Sequence, residues 1–335
     1  LRVIDGFSFG FTKLERITIP EGVRKIGEGA FYSTPLKSAT LPQSLEIIAD
    51  EAFSNCRELS DVEIPQSVRY IGEYAFSYVP ISRVSFGDAL EVIGKSAFAD
   101  CDEIRYVRIP AGVKKIGECA FAGCQLDSVS VDAGNEWYYS DSCNVIVERS
   151  SGKLLVGSAA ASIPVGVKSI ASRAFFTVYI HEIRIPEGVT EIGGSAFWGC
   201  RNASVIQLPS TLVSIGSVAF CYCSSARSID LPDGIDIIPQ SAFLGCTSLE
   251  SIVIPEGVTA IASYAFEGCT AMKSISLPSS LKSIGVKAFK DCWQLKDIRN
   301  ASDIAIAPVE MPKPTFGYDR SMASIALESL EFIEL

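Results

Sequence analysis

Any chemistry in this sequence has to come from eleven cysteines, one histidine and scattered carboxylates. Eight cysteines recur at one spacing, three residues after a phenylalanine: Cys56, Cys101, Cys124, Cys200, Cys223, Cys246, Cys269 and Cys292. Zinc would want paired ligands two to four residues apart, usually with histidine. No Cys-x-x-Cys occurs, and neither Cys221 with Cys223 nor Cys119 with Cys124 has that spacing. A nucleophile needs a base beside it, so any serine or cysteine triad depends on His181, the sole histidine, at a polar position between Ile180 and Ile183. Its plainer role is a solvated strand residue rather than a general base. Asp61 and Glu63, two apart on a strand, share a face as a hydrolytic carboxylate pair would, and as any solvent-facing strand does. Phosphate-loop, His-Glu-x-x-His and Gly-x-Ser-x-Gly motifs do not occur. The sequence is read as no enzyme, with no metal and no cofactor.

The cysteines follow turn length instead. All seven copies with six residues between the phenylalanine and the next strand hold one; of the four shorter copies one does, and the others hold Thr34, Val79 and Val178. That correlation points to packing, because a free cysteine behaves as a small buried apolar residue. Disulfides between neighbouring copies are the alternative in an oxidising compartment. Side chains stacked in parallel bridge poorly, however, and an odd total leaves one thiol over.

The elements that position these residues are short and repeated. Eleven times a phenylalanine stands eleven residues after an anchor slot, at 31, 53, 76, 98, 121, 175, 197, 220, 243, 266 and 289. The anchor is proline in ten copies and Gly87 in the other; alanine precedes every ring, and isoleucine follows every anchor by six. Copies step by 22 or 23 residues, apart from one break. A unit of that length has no interior of its own, so copies must stack and share one. The alternation before each proline, as in Ile252-Val253-Ile254, predicts a short strand that pairs in parallel with its counterpart in the next copy. Proline ends the strand where a missing N–H costs least. The second apolar pair, such as Val258 and Ile261, turns the coil inward. Glycine at the seventh position, as Gly27 or Gly285, is read as allowing a tight bend. Alanine and phenylalanine fill the centre as a ladder of rings. About twelve coils at about 4.8 Å each give a body on the order of 60 Å long.

Written out, the repeat is Leu-x-x-Ile-x-Ile-Pro-x-x-Val-x-x-Ile-Gly-x-x-Ala-Phe-x-x-Cys, which resembles the BspA-like leucine-rich repeat, also called the Treponema pallidum type, over residues 1–300. The resemblance implies a leucine-rich-repeat solenoid of the α/β superhelix class, β-rich and right-handed, with a parallel sheet on one face. It also implies a secreted or cell-surface bacterial protein, adhesin-like, that binds a host or microbial surface protein or glycan. A structural spacer within a larger surface protein is the alternative, and a glycan-active enzyme using strand carboxylates is the third.

Composition narrows the partners. The 335 residues carry a net charge of −10 with acid and base mixed throughout, so no basic stripe in the sequence points to nucleic acid. There is likewise no polybasic run for anionic lipid, and no apolar run long enough for membrane insertion. An extracellular or cell-surface monomer is expected. Leu1, Ile4 and Phe9 already hold repeat positions, so a trimmed or mature fragment without its signal peptide is expected too.

The break lies between Phe121 and Phe175, a step of 54 residues. Asp132 takes the proline slot, and Asn135-Glu136-Trp137-Tyr138-Tyr139 follows. Two apolar runs, 145–147 and 154–156, then flank Ser150-Ser151-Gly152-Lys153. This predicts a β-hairpin insert over about 132–160, with a slight bend of the solenoid there. Residues 301–335, with Pro308, Pro312 and Pro314, are read as an irregular C-terminal cap over the last core edge.

Partner contacts are expected at outward strand slots. Arg83, Arg105, Tyr106 and Arg108 cluster in adjacent copies, and Arg184 takes such a slot after the insert. Arginine and tyrosine are favoured interface anchors, and an ordinary charged sheet face is the competing role. Trp137 and Tyr138 of the insert are the second candidate, with packing over the coil below as theirs.

Overall fold

A computed structural model describes residues 2–140 and 142–305, so all but the first five residues of the expected 301–335 cap lie outside the described residues. The described residues form strands and turns without a helix, and none of their elements is a helix long and apolar enough to cross a membrane. The chain divides into two compact units, Leu1–Tyr179 and Ile180–Leu335. Each is a stack of coils joined by parallel strands.

A coil carries up to two short strands. The first precedes the proline, as expected. In the first unit Arg16–Thr18, Ser38–Thr40 and Asp61–Val62 pair in register, and Tyr106–Ile109 pairs with Ser128–Val131. Residues 81–86 between those groups form no strand. There Phe86 replaces the usual aliphatic residue and packs 5.6 Å from the ring of Phe98. The neighbouring anchor is glycine because a Cβ at Gly87 would lie 2.2 Å from the Gln66 carbonyl oxygen. The second strand follows the proline, where sequence alternation marks only an inward turn. Val3–Ile4, Lys25–Ile26, Ile47–Ile48, Tyr70–Ile71, Val92–Ile93 and Lys115–Ile116 make one six-stranded parallel sheet. In the second unit the pre-proline strands Ser251–Val253, Ser274–Leu277 and Asp297–Asn300 pair, as do the post-proline strands Ile237–Ile238, Ala260–Ile261 and Ser283–Ile284.

The phenylalanine ladder forms the centre of each unit. Phe9, Phe31, Phe53, Phe76, Phe98 and Phe121 stack at 5.1–5.4 Å between centroids, with ring planes within 11° of parallel. Phe197, Phe220, Phe243, Phe266 and Phe289 do the same at 5.3–5.7 Å. The backbone turns to deliver each ring. Residues two before and two after it are left-handed, as with Glu51 and Asn55 (φ 56° and 62°), Tyr74 and Tyr78 (55° and 60°), or Val218 and Tyr222 (63° and 59°). Non-glycine residues occupy that region at a cost. Stacked amides hold them there: Glu51 N–H donates to Glu73 O and Asn55 N–H to Ser77 O, both at 2.8 Å, with Phe53 N–H between them donating to Ala75 O. Glycine at the seventh position does something other than the bend expected of it. Gly72 and Gly285 do not have positive φ. Instead, a Cβ would lie 2.4 Å from Asp50 N at Gly72 and 2.3 Å from Ser263 N at Gly285, so glycine lets neighbouring coils approach.

All eight repeat cysteines are buried. Seven thiols donate to the phenylalanine carbonyl of the preceding coil, as Cys101 to Phe76 O at 2.9 Å and Cys246 to Phe220 O at 3.3 Å. Cys124 makes the same bond, to Phe98 O at 3.1 Å, although its turn is one of the shorter ones. Burial pushes the Cys101 thiol up to about 12 and raises Cys124, Cys223 and Cys269 as well, so these thiols stay protonated and poor nucleophiles at neutral pH.

Polar latches join coils at the proline turns. Where Glu-Gly follows one proline, a hydroxyl residue follows the next. Glu187 accepts from Ser210 N–H and Oγ at 2.9 and 3.0 Å, Gly188 N–H donates to Thr211 Oγ1 at 2.9 Å, and Thr211 donates to Val189 O at 2.9 Å. Glu256 with Ser279, and Gly257 with Ser280, repeat it. A charged row parallels the first unit's post-proline sheet: Arg24 pairs with Glu46 at 2.8 Å, and Glu91 with Arg69 and, at 2.9 Å, Lys114.

The insert is the expected hairpin. Tyr138–Tyr139 pairs antiparallel with Val145–Glu148, which pairs antiparallel with Lys153–Gly157; the last then runs parallel to Ser169–Ile170. Lys153–Gly157 thus replaces a coil. Gly157 N–H donates to Ala174 O at 2.8 Å, as ladder phenylalanines do, but a Cβ at Gly157 would lie 2.0 Å from the Phe175 ring. The ladder skips a ring here, and Phe175 leans into the vacant place.

Three measurements check this account. Phe243→Ala removes a ring that is 0% exposed, and should lower unfolding free energy by about 3–5 kcal/mol in denaturant titration. Thr211→Val leaves Gly188 N–H and Val189 O without their latch, and should cost about 1–2 kcal/mol in the same assay. Hydrogen bonds and charge from Arg69 and Lys114 hold the Glu91 carboxyl down to about 2. A depressed carboxylate adds stability above its unfolded value and loses it as pH falls toward the folded one. NMR titration should therefore find Glu91 ionised down to about 2, and returned toward the ordinary carboxylate range in Arg69→Gln/Lys114→Gln.

Candidate interaction surface

The strand faces place the expected contact residues unevenly. In the first unit, alternate pre-proline residues point inward (Val107 and Ile109 are buried) and the others outward. Tyr106 is thereby 65% exposed, opposite Ser128, while Arg108 stands opposite Ser130. Arg83 is exposed in the same slot one copy earlier, four residues before its anchor, on the stretch that forms no strand. Arg105 is half-buried at the strand's start, its Nη1 donating to Gln125 O at 3.1 Å. Arg108 is exposed and ion-paired with Asp132. Arg83, Tyr106 and Arg108 therefore share one outward face, with Arg105 at its margin. Hydrogen bonding from Gly134 N–H, then from Arg108, lowers the Asp132 carboxyl, so this aspartate in the proline slot stays charged and holds the arginine.

The other expected residues lie elsewhere. Arg184 belongs to the second unit, exposed, with Glu182 at 2.8 Å and Gln207 Oε1 at 2.9 Å. Trp137 is 36% exposed on the insert. Tyr138 is a correction to the expected surface: it is 2% exposed, so its ring is not offered to a partner. Its hydroxyl accepts from Ile116 N–H at 2.9 Å, on the edge strand of the six-stranded sheet. Asn135 fixes that placement. Its Oδ1 accepts from Trp137 and Tyr138 N–H at 2.9 and 2.8 Å, while its Nδ2 donates to Pro110 O and Val113 O. The sequence shows three adjacent aromatics without showing which one seals an edge.

The second unit presents a different face. Ser251, Val253, Ser274 and Ser276 leave it short-sided, with Val253 66% exposed. They lead to an open cleft of about 970 Å³ lined by Val253, Ser276, Arg299, Asp233 and Glu256. Single-residue slots in a sequence do not reveal this cleft, because it forms where four coils meet. His181 is exposed, as are Asp61 and Glu63 on the first unit's strand face. Among the described residues no group of three or more histidine, cysteine or acidic side chains is arranged to hold a metal ion.

Comparison with known proteins follows this architecture. The family model described as BspA type leucine rich repeat region matches residues 1–136, 159–259 and 236–333. The interval it skips, 137–158, is the greater part of the hairpin insert. A leucine-rich repeat protein from Eubacterium ventriosum superposes with a TM-score of 0.75 at 22% identity, over 90% of this chain and 86% of that one. A leucine rich cell surface protein from Faecalibacterium prausnitzii gives 0.68 at 28% identity, over 90% and 84%. The pneumococcal vaccine antigen PcpA gives 0.67 at 23% identity, over 95% and 78%. No curated protein matches the chain. Its repeats, their stacking and the extent of the family match together make this chain a member of the BspA type leucine-rich-repeat family.

Proposed function

We propose that the chain is a non-catalytic interaction module of a bacterial cell surface, adhesin-like, which grips a host or microbial protein or glycan through its outward strand slots. The observation that carries the reading is the largely exposed Tyr106, with Arg83 in the adjoining copy and Arg108 two residues along. Tyrosine buries a large surface with little loss of rotamer freedom, and arginine adds a planar fork of donors, which favours both as anchors. The serines opposite, Ser128 and Ser130, leave the Tyr106 ring and the Arg108 guanidinium accessible. The cell-surface description of the relative from F. prausnitzii, at 28% identity, supports the location. Arg184 and Trp137 are secondary contacts in this reading.

A binding screen against matrix proteins and surface glycans tests it. Arg83→Glu/Arg108→Glu and Tyr106→Ala should each weaken a detected ligand by about tenfold or more, with thermal unfolding unchanged. Ligands bound equally well by all variants would remove this face from the reading. Glycan turnover abolished by Asp61→Asn would replace the reading with a hydrolase.

A further inference from the structure

Basic residues scattered along the sequence are gathered by the insert. Lys115 opens the last post-proline strand before it and Lys114 immediately precedes that strand, both exposed. Lys153 opens the hairpin strand that replaces the next coil, in register with Ser169. Lys168 N–H donates to Gly152 O at 2.9 Å, just as Lys114 N–H donates to Glu91 O at 2.8 Å. Gly152 therefore holds the row position of Lys114 and Lys168 without a side chain. A Cβ there would lie 3.0 Å from Lys168 Cγ, so the lysine stem lies across the gap. Lys95 and Arg173 flank the group. Lys95 N lies against Gly117 in the next coil, and the half-buried Cys119 thiol donates to the carbonyl of Ser172, the neighbour of Arg173, at 3.7 Å; burial raises this thiol, Arg173, Lys95 and Lys153 lower it, and Glu118 raises it.

Nearby carboxylates offset only part of this charge, since Lys114 pairs with Glu91 and Lys153 with Glu118. Glu91 is shared by Lys114 and Arg69. Glu118 lies 3.8 Å from Lys153, and Glu148 accepts from the Ser151 hydroxyl. Lys95, Lys114, Lys115, Lys153, Lys168 and Arg173 thus make a cationic face on a protein of net charge −10.

We propose that this face of the first unit binds a linear anionic glycan, one bearing sulfate or phosphate groups along its chain. The cations lie on successive layers, which in a parallel stack are about 4.8 Å apart. That spacing suits charges distributed along an extended chain. Lysine ammonium groups act as point charges and meet such anions without demanding one orientation. The acidic remainder of the protein repels a nucleic-acid duplex, whose dense charge extends well past the patch. The site is separate from the Arg83–Tyr106 face and does not depend on it.

The test uses the full chain with four probes: a heparin oligosaccharide, a poly(glycerol phosphate) chain, neutral dextran and a single-stranded oligonucleotide. At about 50 mM salt, heparin or poly(glycerol phosphate) should bind, dextran should not, and affinity should fall about tenfold or more by about 200 mM. Which charged polymer binds tells sulfate from phosphate. Lys115→Glu/Lys153→Glu/Lys168→Glu should weaken binding at least about tenfold at unchanged melting temperature, with Lys115→Gln/Lys168→Gln weakening it less. Arg83→Glu/Arg108→Glu should leave it intact, so that this site and the arginine–tyrosine face fail separately. Absence of binding to both charged glycans, binding indifferent to the lysine substitutions, or tighter binding of the oligonucleotide would overturn the proposal.

Discussion

Face-to-face contact between one phenylalanine and the next sets the terms for everything else in these units. The rings stack 5.1–5.7 Å apart, slightly more than the spacing of about 4.8 Å that parallel strands prefer. Offset stacking absorbs the difference at little cost. For each ring to reach the axis, the chain must turn sharply on both sides of it. Left-handed residues bracket every Ala-Phe pair for that reason, even where the residue is Val218 or Thr177. The strain is tolerated because most bracketing amides bond to the coil beside them, as Val218 N–H to Gln240 O and Tyr222 N–H to Leu244 O. Ring stacking, backbone strain and inter-coil hydrogen bonds therefore rise and fall together.

Much of this was legible in the sequence because inward slots admit few residue types. Phenylalanine, the isoleucine six residues past the anchor, and the slot cysteines recur since each fills a fixed volume. Outward and backbone-determined features were less legible. Two-residue strands such as Lys25–Ile26 are too short for alternation to register. The left-handed positions accept Glu51, Tyr74, Ser96 and Val218 alike, so no residue signature marks them. Glycine at the seventh position was visible, yet its purpose, close approach between coils, belongs to a neighbour 22 or 23 residues away. Which of the insert's aromatics packs, and how the lysines gather around Gly152, were less legible for one shared reason: the insert breaks the period that assigns residues to slots.

The same division governs recognition. The interior is nearly constant from coil to coil, so differences between surfaces come from outward slots alone. Many of those are engaged within the chain: Arg108 with Asp132, Arg184 with Glu182, Lys273 with Glu250. Exposed ion pairs of this kind contribute little to stability. They do hold long side chains in place, which lowers the entropic cost of meeting a partner. The first unit combines such held cations with an exposed tyrosine, while the second offers serines, Val253 and an open cleft. Two units built on one repeat thus present unlike chemistry.

The latches at the proline turns bear on how such a chain lengthens. A Glu-Gly coil is satisfied only by a coil bearing Ser or Thr on its following side, so the join has a direction, like a plug and its socket. Duplicating the matched pair reproduces a complete joint. Duplicating the Glu-Gly coil alone sets glycine against glycine, and Asp233-Gly234 ahead of Glu256-Gly257 has that arrangement, without the hydroxyl that Thr211 supplies elsewhere. A Glu-Gly coil moved singly to a place ahead of another glycine-bearing coil would thus lose the joint on its following side.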